Sequence, residues 1–375
     1  MRPLLFARIK NLVQGASVSK RILPLMFEAQ YPIFDGHNDT LLRLIEDEGK
    51  GKAPDFLGEC DGYHIDMTKA KKGGLAGGLF AMFTPNPENS INGIPRKPTM
   101  GDPIDRERAE QFTYAMMDKG DALIAASGGS VRLCKSAADI REAMDAGAMA
   151  MVYHIEGAEV IDPDFEALDT LYERGLRSIG ITWSRNNVFG NGVPFTFPGS
   201  PDHGEGLSDK GIELVRQCNK RGLVIDLSHL NEKGFWDVAR TTDKPLVASH
   251  SNVHTLSPTP RNLTENQLDA IAESGGLVGL NFAVGFLRDD GDHARKDTKL
   301  ETMIGHLDYL LEMLGEDGVA LGSDFDGATV PAEIEDASGL PLLVAEMEAA
   351  GYGEELIAKI THRNWINLLE RTWGA

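Results

Sequence analysis

His37 and Asp39 stand two residues apart at the end of the apolar run Ile33-Phe34-Asp35-Gly36-His37-Asn38-Asp39. In an extended strand, residues i and i+2 project from the same face. An imidazole and a carboxylate therefore leave one strand end together, which is half of a metal site. Four later apolar runs also finish in ligand-type side chains: Glu156, His229, His250 and Asp324. Each has an ordinary reading when taken alone, as a hydrogen-bonded histidine, a helix-capping acid or a turn. Taken together, three imidazoles and three carboxylates beside buried runs need partners, and a pair of divalent cations would supply them.

The ligand types select the class of metal. Imidazole with carboxylate suits zinc, with manganese, iron or cobalt as alternatives. One ion would take His37, Asp39 and one oxygen of Glu156. A second would take the other oxygen of Glu156, with His229 and His250. Each ion then keeps an open position, as catalytic sites do, and a bridging hydroxide would have its pKa drawn toward neutrality.

These residues must be brought together from almost the whole chain. Eight short apolar runs, near 33–40, 74–83, 148–157, 176–183, 223–229, 244–251, 276–282 and 318–327, alternate mostly with helical patterns. Near-continuous hydrophobicity is the mark of parallel strands buried on both faces. Eight such units predict a closed (β/α)8 TIM-type barrel of the metal-dependent hydrolase kind, with a doubly wound open sheet as the alternative. In a barrel all C-terminal strand ends meet at one rim, so the candidate ligands would converge there. Residues 31–375 read as a single catalytic domain, and 1–30 as an N-terminal extension. Ser208 is placed to cap a helix closed by Gly222. The Gly-, Pro- and Asn-rich stretch 185–207 reads as a long loop walling a substrate pocket.

Composition narrows the partners. The 375 residues carry a formal charge of −20, with acidic residues spread along the chain. That argues against nucleic acid or an anionic membrane as partner. Cys60, Cys134 and Cys218 are odd in number and far apart, so a reducing compartment fits better than a disulfide framework. No apolar run reaches the length of a signal peptide or a membrane span, and the expectation is a cytoplasmic protein.

The stretches Asp35-Gly36-His37-Asn38-Asp39, Ile155-Glu156-Gly157-Ala158, Asp226-Leu227-Ser228-His229, Ser249-His250-Ser251-Asn252 and Gly322-Ser323-Asp324-Phe325-Asp326-Gly327 resemble, in order, the motifs of the membrane (renal) dipeptidase family. That family belongs to the amidohydrolase superfamily. The resemblance covers roughly residues 31–372. It implies a (β/α)8 barrel with two zinc ions, a dipeptide substrate that can carry a C-terminal D-residue, and a homodimer. By it, His37 and Asp39 match the ligands of one metal, Glu156 the bridging carboxylate, and His229 and His250 the ligands of the other. Asp324 matches the acid that moves the proton, and Arg261 an arginine that holds the substrate. Asp326 competes for the proton role, but Asp324 lies nearer the strand end.

One position departs from the family pattern. Trp183 stands where the renal enzyme has a histidine that helps bind the substrate carbonyl. An indole N–H donates one hydrogen bond and carries no charge. Trp183 is thus a substrate-binding candidate of altered chemistry. Arg185, Asn186 and Asn187 could reach in from the loop, while His154 would sit a layer deeper, as a support or as core. Alternative functions are hydrolysis of another small amide or ester, such as an N-acyl amino acid or a lactone, and a catalytically silent metal-binding barrel.

Overall fold

The computed structural model describes residues 29–86, 89–91, 94–96 and 101–374. Most of the expected extension, residues 1–28, lies outside the described residues. Eight parallel strands follow the eight apolar runs: β1 (Ile33–Asn38), β2 (Leu75–Phe83), β3 (Met149–Glu156), β4 (Leu176–Gly180), β5 (Val224–Asp226), β6 (Val247–Ala248), β7 (Leu277–Asn281) and β8 (Val319–Gly322). Each pairs in parallel with the next.

The sheet nearly closes on itself just beyond β8. Asp39 N donates to Phe325 O at 2.9 Å and Asp324 N to His37 O at 3.0 Å. Asp35 tightens the same seam, its carboxylate accepting from the backbone N–H of Ser323 at 2.6 Å and from its hydroxyl at 2.8 Å. These bonds place β1 and the end of β8 side by side, which an open doubly wound sheet would not do. The fold is a (β/α)8 barrel.

Helices cover the outside for the usual amphipathic reason. Leu300–Leu314 buries Leu300, Met303, Ile304, Leu307 and Leu310, spaced three and four apart. Each such side chain contributes about 2 kcal/mol on leaving water. Helix starts fall where capping residues put them. Ser208 accepts from Gly211 N at 3.1 Å, with Gly222 closing the same helix at φ 68°. Ser136 and Asp139 form a reciprocal capping box.

Some elements are additional to the sequence expectation. Val131–Leu133 pairs in parallel with β3 at the edge of the barrel sheet. A small hairpin joins Asn89–Ile91 to Ile94–Arg96 inside what reads as loop. Met67–Gly73 is a helix capped by Asp66, whose carboxylate accepts from Lys69 N at 2.8 Å.

β6 is much shorter than its apolar run. After Ala248 the chain moves in toward its neighbours. The carbonyl of Ser249 occupies the space a side chain would need on Gly279 of β7 or Gly322 just ending β8, where a Cβ would lie 2.0 or 1.9 Å from it. Only glycine permits that approach. It brings Ser249 and His250 in toward the barrel mouth. Among the described residues, no helix is long and apolar enough to cross a membrane.

Candidate active site

The C-terminal ends of β1, β3, β5, β6 and β8 bring the candidate ligands into one buried cluster. Glu156 Oε1 lies 2.9 Å from His229 Nε2, 3.5 Å from His250 Nε2 and 3.6 Å from His37 Nε2. His229 and His250 face each other, Nε2 to Nε2, at 3.1 Å. The rings of His37 and His250 stack with centroids 3.8 Å apart. His37 Nε2 is 3.4 Å from Asp39 Oδ2. Donor atoms of His37, Glu156 and His250 lie within 4.8 Å of one another, as do those of His37, Asp39 and Asp324.

The cluster fits cations on its own terms. Among the described residues, neither ring nitrogen of His37 has a hydrogen-bond partner, although the residue is wholly buried. Buried polar atoms are seldom left so. The electrostatics agree. Burial pushes the Glu156 carboxyl well above its usual range, with Asp39 and Asp324 adding to the effect and His37 opposing it. Burial alone would lower His37, but Glu156, Asp39 and Asp324 raise it to about 10. Burial drives His229 and His250 far down, with Arg261 and His37 adding to the shift for both. The crowded carboxylates thus demand positive charge, while two imidazoles are held neutral, with lone pairs to offer. Imidazole nitrogens with carboxylate oxygens are the donor set of zinc-class ions.

Asp324 sits just past β8 with φ 59°, in the left-handed region, and its carboxylate lies within 4.8 Å of donor atoms of His37 and Asp39. Asn281, ending β7, donates to its Oδ2 at 3.0 Å. Burial raises its pKa, with Asp39 adding to this and His37 opposing. Asp326 is engaged elsewhere, its carboxylate accepting from Thr40 Oγ1 at 2.7 Å and His64 N at 2.6 Å. Those bonds tie the loop after β8 to the first helix and to the loop around residue 64.

Arg261 is buried beside the cluster, its guanidinium over the Phe286 ring at 5.2 Å. It donates through Nη1 to Ser228 O and through Nη2 to His250 O at 3.1 Å, while Nε has no hydrogen-bond partner among the described residues. Burial lowers its pKa to about 10. Trp183 stands 5.8 Å from the His229 ring, centroid to centroid, between Phe83 at 4.7 Å and Phe195 at 5.4 Å. Phe195 stacks on Phe286 at 6.0 Å. Phe195 comes from the loop 185–207, so this loop contributes to an aromatic arc on the His229 side.

The loop residues expected to reach in do not. Arg185 is locked to Glu159 Oε1 at 2.6 Å, Asn86 Oδ1 at 2.9 Å and Thr84 O at 2.9 Å. A buried guanidinium takes the nearest carboxylate, and Glu159 follows β3 directly. Asn187 donates to Ile181 O and caps Phe189 N, and Asn186 is exposed. His154 lies a layer below, hydrogen-bonded to Ser178 at 2.9 Å and 3.6 Å from Asp226.

Sequence reasoning assigned no role to several residues that hold the ligands. Ser184 contacts His229 Nδ1 at 2.8 Å and Ser249 contacts His250 Nδ1 at 2.7 Å. Asp226 gathers Ser228 and Ser249, and Asn281 steadies Asp324. Ser249, directly before His250, leaves a trace of its partnership in the sequence, whereas Ser184 lies 45 residues from His229 and leaves none.

Comparison with known proteins places this site in a family. The membrane dipeptidase (peptidase family M19) model matches residues 21–373. An uncharacterized Klebsiella pneumoniae protein in the pqqA 5′ region is 49% identical over 273 residues, covering 73% of this chain and 98% of that protein. Dipeptidase verJ of Clonostachys rogersoniana is 26% identical over 350 residues, covering 91% of this chain and 84% of that protein. The crystal structure of a metallo peptidase from Rhodobacter sphaeroides, liganded with a phosphinate mimic of L-Ala-D-Ala, superposes with TM-score 0.86 at 47% identity, covering 92% of this chain and 99% of that one. A barrel rim that gathers imidazoles and carboxylates, and a family match running nearly end to end, agree: the chain belongs to the membrane dipeptidase family of metal-dependent hydrolases.

Proposed function

We propose that this protein is a binuclear zinc dipeptidase that accepts dipeptides with a C-terminal D-residue. The observation that carries the reading is the convergence of His37, Asp39, Glu156, His229 and His250, with both nitrogens of His37 unpartnered. His37, Asp39 and Glu156 would hold one ion, and Glu156, His229 and His250 the other. Bound divalent ions supply Lewis acidity toward the peptide carbonyl and acidify water. The L-Ala-D-Ala mimic carried by the Rhodobacter sphaeroides peptidase supports the substrate class.

The chain's own residues do the rest. Arg261 spends two nitrogens on backbone carbonyls and keeps Nε–H free. Nε–H lies on the same guanidinium edge as Nη2, and that edge would suit the substrate's terminal carboxylate. That selects short peptides, because the carboxylate must sit beside the reacting bond. Asp324, steadied by Asn281 on one oxygen, takes the proton of the attacking water and returns it to the leaving nitrogen. Its raised pKa suits both halves of that transfer. Trp183 and Phe195 present apolar surface on the His229 side. The Trp183 position offers the developing oxyanion no cationic side chain, so its charge would fall to neutral donors and to the Lewis acidity that bound ions would supply.

Three free buried cysteines suit a cytoplasmic setting, and the family resemblance supports a homodimer, which sedimentation would test. Turnover of a dipeptide panel by the Zn(II)-loaded protein tests the function, with cleavage of L-Ala-D-Ala expected. The Trp183 wall favours a second reading, in which the preferred substrate lacks a free α-amino group. Faster turnover of N-acyl amino acids than of dipeptides would select it. No turnover of any amide or ester would sink both.

A further inference from the structure

The side chains behind His250 form a chain of hydrogen bonds with a defined direction. Asp226 ends β5 and is buried. Its Oδ1 accepts from Ser228 N at 3.1 Å, Ser228 Oγ at 2.6 Å and Ser249 N at 2.8 Å. Its Oδ2 accepts from Ser249 Oγ at 2.5 Å. Ser249 Oγ lies in turn 2.7 Å from His250 Nδ1. A hydroxyl has one proton to give. The four groups hydrogen-bonded to Asp226 all donate to it, and the neighbouring imidazole nitrogens, His154 Nε2 at 3.6 Å and His250 Nδ1 at 3.9 Å, lie beyond hydrogen-bond distance, so the carboxylate acts as an acceptor. It takes the Ser249 proton, because a charged acceptor at the shorter distance outcompetes a neutral ring. Ser249 Oγ can then only accept from His250, which must carry its proton on Nδ1. That leaves the Nε2 lone pair facing Glu156 and His229.

We propose that Asp226 and Ser249 are positioning residues that set the tautomer of His250, presenting Nε2 unprotonated to a metal ion. The inference rests on the metal-centre reading above and goes beyond it by naming what prepares one ligand. The fold supports the arrangement independently. Gly279 and Gly322 leave room for the Ser249 carbonyl, which fixes that residue between Asp226 and His250. Arg261 anchors the same segment through His250 O at 3.1 Å. His229 differs: its Nδ1 partner is Ser184 Oγ at 2.8 Å, and among the described residues no carboxylate hydrogen-bonds to Ser184.

The direction of the chain yields a test that steric conservation would not anticipate. Asp226→Asn replaces one oxygen by an NH2 group with almost no change of shape. The amide oxygen must occupy the Oδ1 position, where two backbone N–H groups need an acceptor. The NH2 then faces Ser249 and donates to it. Ser249 must now give its own proton to His250 Nδ1, which pushes the ring proton onto Nε2. The variant inverts the chain and blocks the ligand. Ser249→Ala merely cuts the chain and leaves His250 free to choose its tautomer.

Zn(II) affinity is measured by competition with a chromogenic chelator for wild type, D226N and S249A, with thermal melts of the metal-free proteins as the folding control. D226N is expected to lose about 10–100-fold affinity at one of two ions, and S249A less. Histidine-labelled wild type, with His250 assigned by its loss in His250→Gln, is expected to show the ring proton on Nδ1 in long-range nitrogen–proton spectra. This spectrum decides the matter even if D226N does not fold. D226N binding as tightly as wild type, S249A binding more weakly than D226N, or a wild-type proton on Nε2 would each overturn the proposal. Wild type that takes up no Zn(II) at all would instead overturn the metal-centre reading beneath it.

Discussion

Replacing Asp324 by asparagine separates chemistry from metal binding. Asp324 occupies the left-handed region at φ 59°, which asparagine adopts more readily than most residues. The amide oxygen can still accept from Asn281, 3.0 Å away. The carboxylate hydrogen-bonds to none of the proposed ligands, although it lies within 4.8 Å of His37 and Asp39 donor atoms. The variant should therefore fold, hold its full metal complement and melt no lower than wild type, because one of several crowded negative charges is gone. The proton shuttle is lost, which removes about 10²–10⁴-fold from kcat, or roughly 3–5 kcal/mol of barrier. Asp324→Ala should lose the same rate and also stability. It removes one of the two acceptors of the Asn281 amide, leaving His250 O at 3.3 Å, and places an alanine at positive φ, together costing about 2–4 kcal/mol. Steady-state kinetics on one dipeptide, elemental analysis and chemical denaturation measure all three quantities. A metal-replete D324N that keeps more than about a tenth of wild-type kcat would refute this role for Asp324.

Further expectations follow from the neighbouring geometry. Asp326→Asn should leave kcat within about threefold of wild type but lower stability by roughly 1–3 kcal/mol, since one of its two bonds, to Thr40 and His64 N, loses its acceptor; a rate loss matching D324N would reverse the assignment of the two acids. Arg261→Lys should raise KM about 10–100-fold with a smaller effect on kcat, because an ammonium cannot form the planar fork; an unchanged KM for dipeptides would remove Arg261 from substrate binding. His306 is buried with Nδ1 accepting from Val253 N at 3.2 Å and Nε2 against Leu287 O at 3.0 Å, and burial lowers its pKa from 6.5 to about 4. A depressed folded pKa means that this contribution is intact above 6.5 and is lost as pH falls toward 4. The loss reaches about 3 kcal/mol. Denaturation midpoints that stay flat over that window, or an imidazole that titrates near its ordinary value by NMR, would contradict it.

The barrel was legible because its strands are buried on both faces and so read as apolar runs, such as Met149–Glu156, several of them ending in a polar group. The candidate ligands were legible because a metal-binding residue type stands out at the end of such a run. What supports them was not. That Asp226 meets Ser249 depends on the register of β5 against β6, and that Asn281 meets Asp324 on the register of β7 against β8. No local pattern encodes either. The shortness of β6 follows from glycines on β7 and at the end of β8, which act on Ser249 only in three dimensions. Arg185 shows the converse limit: its position beside Trp183 suggested a reach into the site, whereas Glu159, 26 residues earlier, captures it. The edge strand Val131–Leu133 is simply too short to leave a period in the sequence.

The central claim is that five side chains from four barrel strand ends hold two cations about one shared glutamate. Anomalous diffraction at the zinc edge, from crystals grown with Zn(II), tests it most directly. Two peaks are expected, one among His37, Asp39 and Glu156 and one among Glu156, His229 and His250. A single peak, or none within coordinating distance of Glu156, would contradict the account.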